Sequence, residues 1–186
     1  MPSTHFSLKG QLLLDNGQLH GSCFQRTVIL ICQHDEDGAF GLVLNSPAAG
    51  KVGQALEAQL PERLKRLPLF LGGPVQPQSL SFLHSDSLVP NANVMANLHL
   101  SHSLEELVEA GEGYSPTRQL KIFAGYAGWS PGQLESEMKR DTWLTHPATL
   151  DWVFHADPAG LWKLILAEKG FTYRLIGEAP EDLSWN

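Results

Sequence analysis

The sequence of 186 residues is poor in cysteine, in basic residues and in long apolar runs. Its two cysteines, Cys23 and Cys32, form no CxxC pattern and cannot build a disulfide framework, so we expect reduced thiols. Only 13 Lys and Arg are spread over a chain of net charge −7, which argues against nucleic acid as a partner. The densest basic run, residues 63–66, is typical of a solvated helix end.

No apolar run approaches the roughly 18 residues that a membrane span requires. The first residues also lack the basic and apolar regions of a signal peptide. We therefore expect a cytoplasmic protein with no membrane contact. With 42% hydrophobic and 18% charged residues, the composition is that of a globular chain. The length predicts one domain, over residues 1–176, followed by a loose tail over residues 177–186.

The first half of the chain contains the clearest strand signals. Gln11–Asp15 is a short apolar run that ends in turn residues. Residues 26–34 are apolar on both faces of a strand, which is typical of a strand buried from two sides. The Asp-Gly pair at 37–38 predicts a turn, and residues 39–45 then return as the second strand of a hairpin.

The remaining segments favour strands over helices without βαβ alternation, which predicts an α+β fold. Strands are predicted over residues 67–71, 80–84, 94–98, 119–124, 143–144, 150–154 and 171–176. Helices are predicted over residues 52–60, 103–110, 131–140 and 157–170. The helix at 103–110 begins with a capping box and stops at Gly111.

The segment after the strand at 119–124 concentrates glycine. Gly125-Tyr126-Ala127-Gly128-Trp129 is predicted to be a loop that leads into a helix capped by Ser130. Free N–H groups at a helix start suit an anion. The alternative is a tight turn whose glycines permit close packing, the commoner role of turn glycines. Neither a P-loop lysine nor a GxGxxG motif is present, so no cofactor is predicted.

Catalytic and metal motifs are weak. Residues 128–132 fit G-x-S-x-G, but Pro131 has no N–H to lend to an oxyanion hole, and Ser130 is explained as a helix cap. His34 lies beside an acidic turn, and His99 and His102 are three residues apart, yet neither spacing is specific to a metal. No catalytic residue and no metal ligand is therefore predicted. His34 and His84 are the titratable groups that an active site would use, or else structural histidines.

Several segments together resemble the YqgE/AlgH family of bacterial proteins. The most specific string is residues 125–129 with Gly132-Gln133-Leu134-Glu135. Further matches are residues 10–14, 24–28, 34–47, 72–75, 83–84 and 143–144. The resemblance covers most of the chain.

The resemblance implies one compact α+β domain with an irregular, bulged, mostly antiparallel sheet flanked by short helices. No biochemical activity is established for the family as a whole, and some members are labelled transcriptional regulators. The chain departs from the family pattern at Ser46, where relatives usually carry a basic residue before the proline. An anionic ligand held by that basic residue would not be held in the same way here.

Two main functions follow as hypotheses. The first is a non-catalytic binding or regulatory module whose partner is an unknown protein or a small anionic ligand. The second is an enzyme that acts on a small anionic substrate at the Gly125–Gln133 loop. A DNA-binding regulator is a weaker third hypothesis, because no helix-turn-helix and no basic recognition helix is visible. The candidate ligand-binding residues are Arg26, His34, Asn45, Gly72, Gly73, Gly125, Tyr126, Gly128, Trp129 and Gln133.

Overall fold

The computed structural model describes residues 6–56, 60–113 and 115–180. Its strands are β1 Gln11–Asp15, β2 Val28–Asp35, β3 Gly38–Val43, β4 Pro47–Lys51, β5 Pro68–Leu71, β6 Val75–Ser85, β7 Leu98–Ser101, β8 Gln119–Trp129 and β9 Trp143–Pro147. Its helices are α1 Val52–Ala55, α2 Glu62–Lys65, α3 Leu104–Glu112, α4 Gln133–Lys139, α5 Leu150–Val153, α6 Leu161–Lys169 and α7 Phe171–Glu178.

Strand β8 organises the sheet, because three other strands pair with it. Its first half lies between β6, which is antiparallel to it, and β5, which is parallel. Its last three residues, 127–129, pair with β3. The sheet has nine strands in the order β4-β5-β8-β3-β2-β1-β9, with β6 and β7 branching from β8. Apart from the parallel pair of β5 and β8, every strand pair in the described chain is antiparallel. The predicted mostly antiparallel α+β fold is therefore confirmed.

Bulges interrupt this sheet, as the family resemblance implies. The register between β2 and β3 shifts at Cys32, and a second shift occurs between β4 and β5. Strand β6 leaves β8 between Val75 and Leu80, where Gln76 adopts a positive φ of 46°. A bulge bends its strand and increases the local twist. Strand β8 can therefore meet different neighbours along its two halves.

Strand β2 is buried on both faces, as its unbroken apolar run predicts. Leu30 and Cys32 lie in the core cluster covered by helix α6. Ile29 and Ile31 lie in a second cluster on the other face, which includes Leu134 of helix α4. Helices thus cover both faces of the sheet at its centre.

The hairpin and the first long helix follow their local signals. The 35–38 turn joins β2 to β3, and Asp35 Oδ1 accepts the Asp37 N–H at 2.9 Å. Helix α3 begins after Ser103, whose hydroxyl accepts the Glu106 N–H at 3.3 Å. It does not stop at Gly111, because that residue is buried against Leu64 and the helix continues to Glu112.

Two segments predicted to be strands are helices. Residues 150–153 form α5, which Thr149 begins by accepting the Trp152 N–H on its hydroxyl at 3.3 Å. Residues 171–178 form α7, which packs along α6. Aromatic and β-branched residues favour a strand over 171–176. In the fold, however, Tyr173 and Ile176 lie three residues apart on one side of helix α7, and both pack against the core.

Other boundaries also shift. Residues 94–98 form a tight turn rather than a strand, and strand β7 begins at Leu98. The helix predicted over 52–60 ends at Ala55, and residues 57–59 lie outside the described residues. Helix α7 crosses the expected tail boundary, with Gly177 buried, while residues 181–186 lie outside the described chain. None of the helices described is long and apolar enough to cross a membrane.

Candidate functional site

The predicted glycine loop is not a loop. Residues 125–129 form the second half of strand β8, and only Ser130–Gly132 make a turn before helix α4. Glycine is unfavourable inside an ordinary strand, so it marks a place where another backbone approaches. Of the two alternatives for these glycines, the close packing is seen here, and the approaching group is the protein's own backbone.

Gly72, Gly73 and Gly125 make that approach. A Cβ at Gly72 would lie 2.3 Å from the Gly125 carbonyl oxygen, and a Cβ at Gly125 would lie 2.5 Å from the Gly73 oxygen. The Gly72 N–H donates to Ala124 O and its carbonyl accepts the Val43 N–H, each at 2.9 Å. These three glycines therefore pack the β5–β6 connection onto β8, and the backbone N–H and carbonyl of Gly72 are occupied by the sheet.

Tyr126 and Gly128 lie on the exposed side of the same strand segment. The Tyr126 ring stacks on Phe40 with centroids 4.7 Å apart, and its edge lies 3.1 Å from the position of a Cβ on Gly128. His102 meets the other side of Phe40 edge-on at 5.7 Å. Tyr126 is thus a packing residue of the sheet surface.

Helix α4 begins at Gln133, two residues later than predicted, and has seven residues. The Gln133 side chain accepts the Ser130 N–H at 3.1 Å, and the Gln133 N–H donates to Ser130 O at 3.0 Å. The turn therefore satisfies its own polar groups. Anion binding at this helix start stays a prediction.

His34 is a buried structural histidine on β2. Its Nδ1 accepts the Leu8 N–H at 2.9 Å, which leaves Nε2 to carry the proton of the neutral ring. Nε2 then donates to Glu135 Oε1 at 3.1 Å. His34 thus links the N-terminal segment and helix α4 to the hairpin.

Arg26 and Asn45 also have structural partners. The Asn45 side chain accepts the Val28 N–H at 2.8 Å and donates to Arg26 O at 2.9 Å. Arg26 has a positive φ of 55°, and its N–H donates to the buried carboxylate of Asp15. Its guanidinium lies 5.4 Å from the ring centroid of Trp162. These two candidates shape the loop between β1 and β2.

Trp129 enters a different arrangement, together with Trp143 of β9. The indole N–H groups of both tryptophans donate to the same oxygen, Glu137 Oε2, at 2.9 and 2.8 Å. The other carboxylate oxygen accepts Gln133 Nε2 at 2.9 Å. The two rings meet edge to face, with centroids 6.3 Å apart. One carboxylate of helix α4 therefore fixes two aromatic rings.

These rings form a wall of a cavity of about 470 Å³, which we call the tryptophan cavity. Its lining includes Leu19, Phe24, Gly128, Trp129, Gln133, Glu137, Arg140, Thr142 and Trp143. Gly128, Trp129 and Gln133 were predicted as site residues, and the structure brings these three together. Phe24, Glu137, Arg140 and Trp143 were missed. For Glu137 the i, i+4 spacing from Gln133 on a helix was the available signal.

A second cavity, of about 460 Å³, lies between β6, β7 and α3, and we call it the histidine cavity. His84 and His99 line it, with Glu106 and Arg118. His84 is paired with Leu120 of β8. Since a strand rises about 3.3 Å per residue, it lies about 16 Å from Gly125. His34 and His84 thus stand near opposite ends of β8 and share no site.

Electrostatics in the histidine cavity follow burial and pairing. Burial lowers the pKa of His84, and electrostatic interaction with His99 and Arg118 lowers it further. Hydrogen bonds from Thr117 and Ser115 hold the pKa of Asp86 below its usual range. Asp86 also pairs with Arg118 Nε at 3.2 Å, which offsets the charge of that arginine.

The sequence of this chain is similar to those of known proteins. A family model described as AlgH-like matches residues 12–174. The chain belongs to the AlgH-like family. The resemblance carried by residues 125–135 is thereby confirmed. A UPF0301 protein of Shewanella denitrificans is 40% identical over 174 residues, which cover 89% of this chain and 92% of the relative. A UPF0301 protein of Chlorobium luteolum is 34% identical over 177 residues, covering 92% and 91%.

Solved structures share the fold of this AlgH-like chain. The solution structure of AlgH from Pseudomonas aeruginosa has a TM-score of 0.75 and 30% identity, and the match covers 97% of this chain and 98% of that one. A crystal structure of a Corynebacterium diphtheriae protein has a TM-score of 0.73 at 23% identity, with 93% of each chain covered. The names of these proteins state no reaction and no ligand, so a function has to be argued from the cavities.

Proposed function

We propose that this AlgH-like chain is a non-catalytic binding module that takes a small organic anion with a planar or apolar body in the tryptophan cavity. The observation that supports the proposal most is the shared bond of Glu137 Oε2 to the two indole N–H groups. It fixes Trp129 and Trp143 before any ligand arrives. Binding to fixed rings costs less conformational entropy than binding to rings that must first be ordered.

The size and lining of the cavity suit a small molecule. A volume of about 470 Å³ lies within the 300–1,000 Å³ typical of ligand sites. Leu19, Phe24 and the two tryptophans supply apolar and aromatic surface, and Phe24 meets Trp143 edge-on at 5.9 Å. Planar groups stack on or meet such rings at similar distances.

Arg140 supplies the positive charge. It is the one Lys or Arg among the residues that line the cavity, and it lies just past the end of helix α4. Its Nε donates to Ser136 O at 3.3 Å, and no further hydrogen bond of its guanidinium is formed within the described residues. The negative charge of Glu137 is spread over three hydrogen bonds, so Arg140 is the group available to a ligand anion.

The competing hypotheses find less support. An acid–base enzyme needs titratable groups that converge on one cleft. His34 is held by two structural bonds, and His84 lines a different cavity. A DNA-binding regulator needs clustered basic residues, and the chain carries a net charge of −7. In a regulatory module of this family, anion binding would be the sensing step.

The test is a ligand titration followed by NMR of the five tryptophan indole N–H groups. The probes are benzoate, indole-3-acetate, hexanoate and phenyl phosphate, at low salt. We expect at least one probe to shift the Trp129 and Trp143 signals. The Trp162 signal should stay in place, because its Nε1 donates to Asp15 O at 3.0 Å on the other face of the sheet.

Arg140→Gln removes the charge without touching the core, and we expect it to weaken binding about tenfold, as loss of an interaction worth roughly 1.4 kcal/mol does. Arg63→Gln, another exposed arginine, is the matched control and should bind as the wild type does. Silence of both indole signals with every probe would overturn the small-anion proposal. A shift that Arg140→Gln leaves unchanged would overturn the role of Arg140.

A further inference from the structure

The histidine cavity contains a side-by-side pair of imidazoles that the proposed function does not use. His84 of β6 and His99 of β7 are register partners in an antiparallel pair. Cross-strand partners project to the same face of a sheet, and their Cβ atoms lie about 5 Å apart. The two ring centroids are accordingly 5.2 Å apart. Helix α3 places Glu106 beside them, with its Oε2 3.8 Å from His99 Nε2.

The hydrogen bond of His99 assigns its ring nitrogens. Nδ1 lies 2.6 Å from the carbonyl oxygen of Asn91. A carbonyl can only accept, so Nδ1 carries the proton and Nε2 of the neutral ring holds a lone pair. Histidines that bind metals usually donate their other ring N–H to a carbonyl or carboxylate in this way. The lone pair of His99 faces the carboxylate of Glu106.

The imidazole of His84, unlike that of His99, is not held by a hydrogen bond to a described residue. Neither of its ring nitrogens has a hydrogen-bond partner among the residues that the structure describes, and its ring meets the rings of Phe82 and His99. The imidazole is half-buried and lines the cavity. Rotation about its side-chain torsions can therefore turn either nitrogen toward His99 without breaking a hydrogen bond to a described residue.

The charges around the pair favour a cation. Glu106 and Glu109 of helix α3 both line the cavity and are both exposed. Arg118 is the one Lys or Arg in the lining, and its charge is offset by Asp86 at 3.2 Å. Two imidazoles and a carboxylate form a donor set used for Zn²⁺ and for similar transition-metal ions.

We propose that His84, His99 and Glu106 bind one divalent transition-metal ion of the Zn²⁺ class in the histidine cavity. Within the described residues, no three such side chains converge closely enough to hold an ion as they stand. Glu106, whose side chain is 54% exposed, and His84 therefore rotate to close the site. Water fills the remaining positions, because the cavity is open to solvent on one side.

The test is calorimetric titration of the untagged full chain with ZnCl₂ after removal of metal by a chelator. We expect one Zn²⁺ per chain for the wild type. His84→Ala, His99→Ala and Glu106→Gln should each weaken binding at least tenfold, since each removes one of three protein ligands. His20→Ala, an exposed histidine outside the cavity, is the control and should leave binding unchanged.

If a histidine variant fails to fold, Glu106→Gln still tests the site, because Glu106 is exposed and its removal leaves the core intact. The absence of Zn²⁺ binding by the wild type would overturn the site. Binding that survives all three substitutions at wild-type strength would place the ion elsewhere and overturn it as well. Silence of the tryptophan cavity toward organic anions has no bearing on either outcome, since the two cavities share no lining residue.

Discussion

Lys121 is a buried lysine near the start of strand β8, and its replacement by methionine tests the burial of charge in this fold. The residue is 5% exposed. Its Nζ donates to Val153 O at 3.1 Å and lies 4.2 Å from the centroid of the Phe70 ring. No carboxylate pairs with it within the described residues. Burial lowers the pKa of Lys121 to about 8.

The size of the effect follows from that pKa. A lysine in the unfolded chain titrates near 10.5, and the gap to about 8 corresponds to about 3 kcal/mol. Between these two pH values the unfolded chain binds more protons than the folded chain. The free energy of unfolding therefore rises with pH in this range. Below pH 8 the folded chain carries the buried charge at full cost.

Cys32 has the opposite effect on how the free energy of unfolding changes with pH. Burial raises the pKa of this thiol far above its usual range. In the unfolded chain the thiol ionises near pH 9, so stability from Cys32 is lost as the pH rises further. The pH profile of the wild type mixes both residues. The difference between the Lys121→Met variant and the wild type isolates Lys121, because Cys32 contributes equally to both.

The assay is urea unfolding of both proteins at several pH values from 7 to 10.5. We expect the advantage of Lys121→Met over the wild type to shrink by about 3 kcal/mol across this range. Loss of the hydrogen bond to Val153 O lowers the stability of the variant by about 1 kcal/mol at every pH. The change of the stability difference with pH therefore tests the pKa of Lys121, and its constant part does not. Lys163→Met, at an exposed position on α6, is the control and should give a flat difference.

A flat difference for Lys121→Met as well would refute the reasoning. It would mean that Lys121 has the same pKa in the folded and unfolded chains.

Three further predictions test the glycine packing, the tryptophan pair and the surface charge. Gly125 and Gly132 have nearly equal φ values, 70° and 74°, but only a Cβ at Gly125 meets backbone, at 2.5 Å. In urea unfolding, Gly132→Ala should lower the free energy of unfolding by about 1 kcal/mol, because alanine is strained at this φ. Gly125→Ala should lower it by at least about 2 kcal/mol more, because its Cβ also clashes with backbone. Glu137→Met should lower the free energy of unfolding by about 3 kcal/mol and shift both indole signals, because two partly buried N–H groups lose their acceptor. The chain should flow through a heparin column at low salt, since its net charge is −7.

Each of these has a contrary result. Equal losses of unfolding free energy for Gly125→Ala and Gly132→Ala would show that Gly125 does not pack tightly against Gly73. Unchanged indole signals in Glu137→Met would show that the carboxylate does not fix the rings. Heparin retention that disappears at moderate salt would restore nucleic acid as a partner.

Local signals predicted part of the candidate site and missed the rest. Gly128, Trp129 and Gln133 were found because an unusual string of glycine and aromatic residues precedes a helix. Phe24 and Trp143 could not be found, since they reach the cavity from the β1–β2 loop and from β9. The cross-strand pair of His84 and His99 was equally hidden, because fourteen residues of chain lie between partners that the β6–β7 register places side by side.

The sequence by itself determined the family, the α+β class, the 35–38 hairpin and the two-sided burial of β2. The family follows from matching segments along most of the chain. The other three follow from residue types within a few positions of each other, where turn chemistry and strand periodicity decide. The tertiary structure alone decided that residues 125–129 are a strand and that residues 171–178 are a helix. At 125–129 strand β3 and Val75 of β6 supply the sheet partners, and Gly72-Gly73 packs closely on the same segment. At 171–178 helix α6 supplies the surface against which a helical face is buried. Local preference is weaker than the burial and backbone pairing that only the assembled fold provides.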